Sequence, residues 1–342
     1  RILTDSRDAE AGDAFLALKG ERFDAHAFIT QVAEQGCQVA IVSQPIDAEI
    51  CQLVVPDTRL ALGQLGAYRR AQNPQLKVIA LTGSSGKTTT KEMLGSILSR
   101  IAPTLVTRGN LNNDLGVPVM LLELRPEHQY AVMELGASHQ GEIDYTSNLV
   151  QPLVAGIINI GTAHLGEFGG RDGICRAKSE IYAHIAPNGT SIVPAADDFA
   201  DSIRQAVQTE QVLSFGAGGE IFATEIELQA QSATFKLNTP QGVRQVNLPF
   251  AGEHNVQNAT AAAAFALGIG ISLDDIVLGL EQAVGAKGRL NFIQQGRHLL
   301  IDDTYNANPT SMRAAAEVLA QQEGVRVMVM GDIGELGMMT KF

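Results

Sequence analysis

The stretch VIALTGSSGKTTTKEML, residues 78–94, carries the residue types that could bind phosphate. An apolar run ends in a Gly-Ser-Ser-Gly turn, and a lysine and three threonines follow. Glycines let backbone N–H groups turn toward an anion, and the start of the next helix adds its positive end. We therefore predict a strand, a phosphate-binding loop and a helix. The predicted nucleotide-binding residues are Gly83, Ser84, Ser85, Gly86, Lys87, Thr88 and Thr89.

The spacing of this loop is shorter than usual. Only two residues separate Gly83 from Gly86, where the common phosphate-loop pattern has four before its Gly-Lys-Thr. Lys87 would reach the β and γ phosphates, and Thr88 or Thr89 would hold Mg²⁺. The alternative is a solvated turn before an amphipathic helix. The full order of strand, glycine-rich turn, Gly-Lys-Thr-Thr and helix favours phosphate binding.

Two further polar residues follow buried strands. Glu134 ends the strand YAVMEL, where a phosphate-loop protein places the acid that holds Mg²⁺. His164 follows the strand GIINIG, and we predict that it is catalytic. The alternatives are a strand-end carboxylate that faces water and a structural histidine.

Lys178 stands where the sequence pattern calls for an apolar residue. In GICRAKSEIYAHI, the residues Ile174, Ala177 and Ile181 define one helical stripe that also includes Lys178. A lysine there either snorkels to water, or is buried and then loses its charge or binds an anion. The stripe assigns Lys178 to the core, and both alternatives stay open from the residues alone.

The elements that position these residues indicate an α/β chain of three domains. KVIAL, YAVMEL and LVAGIINI are short apolar runs, as expected for strands buried on both faces of a mostly parallel central sheet flanked by helices. Ligands bind such sheets outside the carboxyl ends of the strands. A small α/β block precedes this sheet, and ATFKLNTPQGVRQVNLPF predicts an antiparallel hairpin within the central part. We place the domains at residues 1–76, 77–290 and 291–342.

The third block is too small for a closed core. It offers two strands, HLLIDD and VRVMVMGD, with one helix around SMRAAAEVLAQQ between them. The sequence therefore predicts the start of a Rossmann-like domain that is cut short.

Composition excludes several classes of protein. The chain has 342 residues and a formal net charge of −12, which disfavours binding to nucleic acid. No apolar run approaches the roughly 18 residues that cross a bilayer. The three cysteines are widely spaced and form no CxxC pair, so a reducing cytosol fits better than a disulfide framework or a zinc site.

The loop TGSSGKTT resembles that of the Mur ligases and the folylpolyglutamate synthases, which join amino acids to carboxylates at the expense of ATP. Further segments are similar to the same family: ELGASHQGEI, the A-K-x-E-I-like segment around Lys178, GEHNVQNATAAAAFALGIG, IDDTYNANPTSM and GDIGELG. DTYNANPTS is closest to the branch of the family whose amine substrate is D-alanyl-D-alanine. The resemblance covers essentially the whole chain.

The resemblance implies the substrates, the cofactors and several site residues. The substrates would be UDP-MurNAc-tripeptide and D-Ala-D-Ala, joined through an acyl phosphate during peptidoglycan precursor synthesis by a monomer in the bacterial cytoplasm. The cofactors would be ATP and Mg²⁺, held by Thr88, Glu134 and a CO₂-derived carbamate on Lys178. The implied nucleotide-binding residues are His254, Asn255, Asn258, Arg289 and Asp303, and the implied substrate-binding residues are Ser6, Arg7, Lys19, Asn110, Asn112, Asn113, Tyr305, Asn306, Asn308 and Ser311.

Two other functions stay open from the sequence. A sister Mur ligase or a folylpolyglutamate synthase would add a single amino acid with the same chemistry. A protein of another class would bind nucleotide without turnover, although the combination of Glu134, His164 and Lys178 argues against it.

Overall fold

The computed structural model describes residues 1–20, 23–162 and 165–331. The chain divides into two compact units. The first comprises Arg1–Pro74 and Gly109–Arg125, and the second comprises Gln75–Arg108 and the chain from Pro126 onward. The sequence carried no signal that residues 109–125 return to the N-terminal unit. The division into three domains at 76/77 and 290/291 stays a prediction.

Strands and helices alternate along most of the described chain, as a parallel sheet requires. The strands are β1 (Ile2–Leu3), β2 (Ala14–Leu16), β3 (Val39–Val42), β4 (Cys51–Val54), β5 (Lys77–Thr82), β6 (Thr104–Val106), β7 (Tyr130–Glu134), β8 (Val154–Ile157), β9 (Thr190–Pro194), β10 (Gln211–Phe215), β11 (Phe222–Leu228), β12 (Ala233–Thr239), β13 (Gly242–Leu248), β14 (Asn291–Gln295) and β15 (His298–Asp302). The α-helices are α1 (Ile29–Glu34), α2 (Thr58–Ala71), α3 (Lys87–Ser99), α4 (Gly116–Leu122), α5 (Glu142–Val150), α6 (Leu165–Phe168), α7 (Arg171–Ser179), α8 (Ala200–Ala206), α9 (Glu253–Gly268), α10 (Leu273–Glu281) and α11 (Pro309–Ala320).

The first unit is built on a parallel sheet with the order β1-β2-β3-β4. Successive strand residues point to opposite faces, so Phe15 packs with Ile29 on one side and Leu16 packs with Leu62 on the other. Helix α2 begins after Asp57, whose carboxylate accepts two backbone hydrogen bonds of its first turn. The predicted small α/β block is confirmed.

The second unit contains a parallel sheet of six strands in the order β10-β9-β8-β5-β7-β6. The predicted strands KVIAL, YAVMEL and LVAGIINI form its centre as β5, β7 and β8, although β8 ends already at Ile157. Strand β5 lies between β7 and β8. The segments that follow these three strands therefore meet at one edge of the sheet, where open α/β folds bind ligands.

Small residues let the helices of this unit pack closely. Residues 261–264 of α9 are four fully buried alanines in the main core. Helix α10 approaches α3 through Gly279, where an added Cβ atom would lie 2.4 Å from the Cα atom of Ile97. Helix α3, which begins at the phosphate loop, is thus fixed by close neighbours.

Antiparallel strands complete the second unit. The predicted hairpin forms as β12 and β13, with β11 added at its edge. HLLIDD forms β15, but it pairs antiparallel with β14 rather than joining a parallel sheet. The prediction of a strand at VRVMVMGD is wrong for residues 325–331, which form no strand. A strand forms only where its backbone groups find a partner, and no described strand runs beside this segment.

None of the described helices has both the length and the apolar composition needed to span a membrane.

Candidate active site

The predicted phosphate loop joins β5 to α3. Gly86 adopts a left-handed conformation with φ of 76° immediately before the helix, which favours a residue without Cβ. The Lys87 ammonium donates a 2.8 Å hydrogen bond to the carbonyl oxygen of Gly83 and so folds back over the loop. The backbone N–H groups of residues 86–89 donate to no other described residue. Four adjacent donors and one ammonium therefore border this turn.

The segment that follows β8 supports the loop from behind. The side-chain oxygen of Asn159 accepts hydrogen bonds from the N–H groups of Ser84 at 3.1 Å and Ser85 at 3.0 Å. Its amide nitrogen donates to the Ser85 carbonyl oxygen at 3.0 Å. The N–H group of Gly161 in turn donates to the Ser84 hydroxyl at 2.8 Å. Sequence reasoning missed Asn159, because the predicted strand LVAGIINI runs through it, whereas β8 ends at Ile157.

The side-chain oxygen atoms of Glu134 and Thr88, which could bind a metal ion, lie together at the start of α3. The Thr88 hydroxyl donates to the Glu134 carboxylate at 3.2 Å, and both side chains are buried. Thr88 is thus the threonine that contacts Glu134, and its role as a metal ligand stays a prediction. The Glu134 N–H donates to the Thr107 hydroxyl at 3.0 Å, and the buried Lys91 ammonium donates to the Thr107 carbonyl oxygen at 2.7 Å.

Lys178 is buried on α7, as its place on the apolar stripe predicted, with 4% of its surface exposed. Burial lowers the pKa of its ammonium well below the ordinary value, and the positive charge of Lys87 acts in the same direction. The carboxylate of Glu134 opposes both effects. Lys178 is therefore close enough to Lys87 of the phosphate loop and to Glu134 to interact electrostatically with both.

The same charges act on Lys87. Burial and the guanidinium of Arg289 lower the pKa of Lys87, whereas Glu134 raises it. Arg289 lies beside Thr88, with a nitrogen 3.5 Å from the hydroxyl, and its guanidinium carbon stands 4.2 Å from the ring centre of Tyr305. A cluster of cations therefore surrounds the turn at Gly86, as a polyphosphate ligand would require.

The start of α9 lies against the phosphate loop. A Cβ atom at Gly86 would stand 2.2 Å from the side-chain oxygen of Asn258, so no larger residue fits there. Asn258 donates to Asn255, which donates to the Ala251 carbonyl oxygen. Neither asparagine caps the helix, since Gly252 is the N-cap. Burial lowers the pKa of the neighbouring His254.

The segment DTYNANPTS is held in place by local hydrogen bonds. The Asp303 carboxylate accepts from the N–H group of Leu290 at 3.2 Å, and burial raises its pKa. Asn308 caps α11, and Ser311 completes a reciprocal capping box with it. Ser311 occupies the third helical position, and Asn308 is the N-cap.

These segments surround one cavity of about 440 Å³. Arg171, a residue that sequence reasoning also missed, contributes to its wall and donates to the Ile160 carbonyl oxygen at 2.8 Å. Glu134, Lys178 and Tyr305 are not among the lining residues, and His164 lies outside the described residues. The predicted residues that line the cavity are Ser84, Ser85, Gly86, Lys87, Thr88, Thr89, His254, Asn255, Asn258, Arg289, Asp303, Asn306, Asn308 and Ser311.

The remaining predicted substrate residues belong to the first unit. Arg7 follows Ser6 in a short 3₁₀-helix, and its guanidinium pairs with Asp5, which lowers the pKa of that carboxyl to about 2. Lys19 faces Asp24 at 3.6 Å. Asn110, Asn112 and Asn113 lie in the loop before α4, whose first N–H group donates to the side chain of Asn113.

Comparison with known proteins decides the family. The family model described as "Mur ligase middle domain" matches residues 81–266, and that described as "Mur ligase, glutamate ligase domain" matches residues 288–342. The UDP-N-acetylmuramoyl-tripeptide–D-alanyl-D-alanine ligase of Escherichia coli K12 is 46% identical over 340 residues, which are 98% of this chain and 75% of that protein. The chain belongs to the Mur ligase family. Mur ligases are ATP-dependent enzymes that form carbon–nitrogen bonds, and this chain is one of them.

Solved Mur ligase structures agree with this fold. MurF from Acinetobacter baumannii shows a TM-score of 0.96 and 80% identity, over 98% of this chain and 74% of its own. MurF from Thermotoga maritima in complex with ADP shows a TM-score of 0.89 and 29% identity, over 98% of this chain and 78% of its own. The chain spans about three quarters of the length of these relatives.

Proposed function

We propose that this Mur ligase joins D-alanyl-D-alanine to UDP-MurNAc-tripeptide, with ATP as the source of energy, in the bacterial cytoplasm and as a monomer. The observation that carries the proposal is the meeting of the phosphate loop and the DTYNANPTS segment at one cavity. The relatives in E. coli and A. baumannii support the choice of substrates.

The reaction needs an activated carboxylate. An amine does not displace oxide from a carboxylate at neutral pH, whereas phosphate leaves readily from an acyl phosphate. The γ-phosphoryl group of ATP is therefore transferred to the tripeptide carboxylate before the dipeptide amine attacks. Lys87, the N–H groups of residues 86–89 and Arg289 bind and orient the phosphates, because they present fixed positive charge at the turn.

The residues around Thr88 fit a magnesium ion. The hydroxyl of Thr88 and the carboxylate of Glu134 are neighbouring oxygen ligands of the kind that Mg²⁺ uses together with phosphate and water. Among the described residues, no group of three or more His, Cys, Asp or Glu side chains is arranged so that it could hold a metal ion. When bound, the ion neutralises charge on the transferring phosphoryl group.

Lys178 is the residue that we propose to carry a carbamate. CO₂ reacts only with a neutral amine, and an ordinary lysine with a pKa of about 10.4 is neutral in roughly one of 2,500 molecules at pH 7. Burial lowers the pKa of Lys178 and so increases the neutral fraction. A carbamate there would offer oxygens beside Glu134, and His164 would orient the acyl phosphate.

The residues proposed to bind the substrates form three groups along the chain. Ser6, Arg7, Lys19, Asn110, Asn112 and Asn113 would bind the nucleotide sugar. The ion pair of Arg7 with Asp5 must then open or be shared with the diphosphate. His254, Asn255, Asn258 and Asp303 would bind the adenosine of ATP, and Tyr305, Asn306, Asn308 and Ser311 would contact the dipeptide and the reacting groups.

Release of inorganic phosphate tests the proposal. Full-length protein is mixed with Mg²⁺-ATP and with UDP-MurNAc-tripeptide, D-Ala-D-Ala, or both. We expect rapid release only when both substrates are present. Nucleotide binding without release would identify a non-catalytic protein, and release without peptide product would identify an ATPase.

A further inference from the structure

The loop TGSSGKTT is two residues shorter than the usual phosphate loop, and the structure shows what replaces the missing length. In the longer loops, successive backbone N–H groups surround the phosphates. Here the N–H groups of Ser84 and Ser85 are both taken by Asn159. From Ser84 onward, the first N–H group of the loop that has no described partner is that of Gly86.

Asn159 is held in one orientation by its own contacts. Its side-chain oxygen accepts from two N–H groups and from the Ser85 hydroxyl at 3.3 Å, while its amide nitrogen donates to the Ser85 carbonyl oxygen at 3.0 Å. The reverse orientation would place the amide nitrogen against two N–H groups, which cannot accept a hydrogen bond. The asparagine therefore holds both the backbone N–H group and the backbone carbonyl group of Ser85.

The backbones of the two segments also approach closely. A Cβ atom at Gly83 would lie 3.1 Å from Cβ of Ile158, and one at Gly161 would lie 3.0 Å from Cβ of Ser84. The Ser84 N–H donates to the Asn159 carbonyl oxygen, and the Gly161 N–H donates to the Ser84 hydroxyl. The segment after β8 thus packs closely against the phosphate loop.

We propose that Asn159 is a positioning residue for nucleotide binding, which holds the shortened loop so that the N–H groups of residues 86–89 and Lys87 face the phosphates. This inference rests on the proposed function, because it assumes that the loop binds nucleotide. Asn159 lines the cavity, but Ser84 and Ser85 engage its side-chain oxygen and one of its amide N–H groups, so we assign its effect to the position of the loop.

The test uses Asn159→Ala in the full-length protein, with Asn148→Ala as the control. Asn148 is an exposed asparagine on α5. The dissociation constant for ADP is measured by calorimetry. Hydrogen exchange of the Ser84 and Ser85 amides is measured without nucleotide. We expect Asn159→Ala to raise the Kd about tenfold, which corresponds to about 1.4 kcal/mol, and to speed exchange of both amides, with no change for Asn148→Ala.

Two results would overturn the inference. One is a wild-type Kd for ADP in folded Asn159→Ala, because a merely structural asparagine would lower the melting temperature without changing the affinity of the folded protein. The other is unchanged exchange of the two amides. A wild-type protein that does not bind ADP contradicts the proposed function instead, and the exchange measurement still tests the hydrogen bonds.

A second variant covers the case in which Asn159→Ala does not fold. Gly161→Ala keeps every hydrogen-bonding side chain but places a methyl group 3.0 Å from Cβ of Ser84, so the two segments must separate by a few tenths of an ångström. We expect a weaker but measurable loss of ADP affinity. An unchanged Kd would show that the packing of this segment does not position the loop.

Discussion

The ammonium of Lys87 interacts with the charges of Glu134, Arg289 and Lys178. Its one described hydrogen bond goes to the Gly83 carbonyl oxygen of the phosphate loop. Its removal should therefore affect the chemistry and leave the core intact. We expect Lys87→Ala to lower kcat by about 100-fold or more, the scale of losing a key electrostatic group at a reacting centre. Phosphate release measures this change.

Lys236→Ala is the matched control for Lys87→Ala. Lys236 is a surface lysine on β12 that pairs with Glu225 at 2.7 Å. Both variants should melt at the wild-type temperature, and the control should keep wild-type kcat. Near-wild-type turnover by folded Lys87→Ala would remove the loop from the mechanism.

The carbamate on Lys178 is tested by its chemistry. Lys178→Ala should lose most activity, and short carboxylic acids should restore part of it, because a carboxylate supplies two oxygens where the carbamate would be. Protein equilibrated with ¹³C-bicarbonate should show a carbamate carbon resonance that Lys178→Ala lacks. Full activity of the variant, or the same resonance in both proteins, would contradict the carbamate.

At the residue scale, the sequence predicts what depends on local spacing. The burial of Lys178 followed from the stripe that it shares with Ile174 and Ile181, and the structure confirms it. The predicted metal ligand was left open between Thr88 and Thr89, because the side-chain direction at a helix start depends on the turn before it. Asn159 could not be assigned, since its partners lie more than 70 positions away.

At the element scale, α3 is the helix that fixes the phosphate loop, and its packing depends on Gly279 of α10. We expect Gly279→Ala to lower the free energy of unfolding by about 1–3 kcal/mol, because the methyl group would lie 2.4 Å from the Cα atom of Ile97. Urea unfolding measures the effect. Leu278→Ala, at an exposed neighbouring position, is the control and should change little.

Helix α5 offers a second test at this scale. The Glu180 carboxylate accepts from the N–H groups of Gly141 and Asp144 and so caps α5 from outside that helix. Glu180→Ala should lower the free energy of unfolding by about 1 kcal/mol, the usual effect of losing a cap. The exposed Glu210→Ala should not, and equal unfolding midpoints for the two variants would contradict the capping role.

The elements were predictable where their pattern is self-contained. Strands β5, β7 and β8 are buried on both faces, and their apolar runs indicated this directly. Strand β4 was not predicted, although Leu53, Val54 and Val55 form a short apolar run at the edge of the sheet. A strand was predicted wrongly at residues 325–331. The valines of this segment suit a strand, but a strand forms only beside a neighbouring strand, which the local sequence does not specify.

At the scale of the whole molecule, the parallel sheet collects residues that are far apart in sequence. Glu134 ends β7 and Asn159 follows β8, the two strands that flank β5, so the loop after β5 receives an acid from one neighbour and an amide from the other. The return of residues 109–125 to the first unit was not predictable, because no local pattern records which unit a helix such as α4 joins.

The proposed reaction is the addition of D-alanyl-D-alanine to UDP-MurNAc-tripeptide. The most direct measurement is kcat/KM of the full-length protein for a panel of amines: D-Ala-D-Ala, L-lysine, meso-diaminopimelate and L-glutamate, each offered with the UDP-MurNAc dipeptide and the tripeptide. Discrimination is a ratio of kcat/KM values, so the panel reports specificity without assumptions about binding. We expect the highest value for D-Ala-D-Ala with the tripeptide, and a higher value for any other pair would contradict the proposed function.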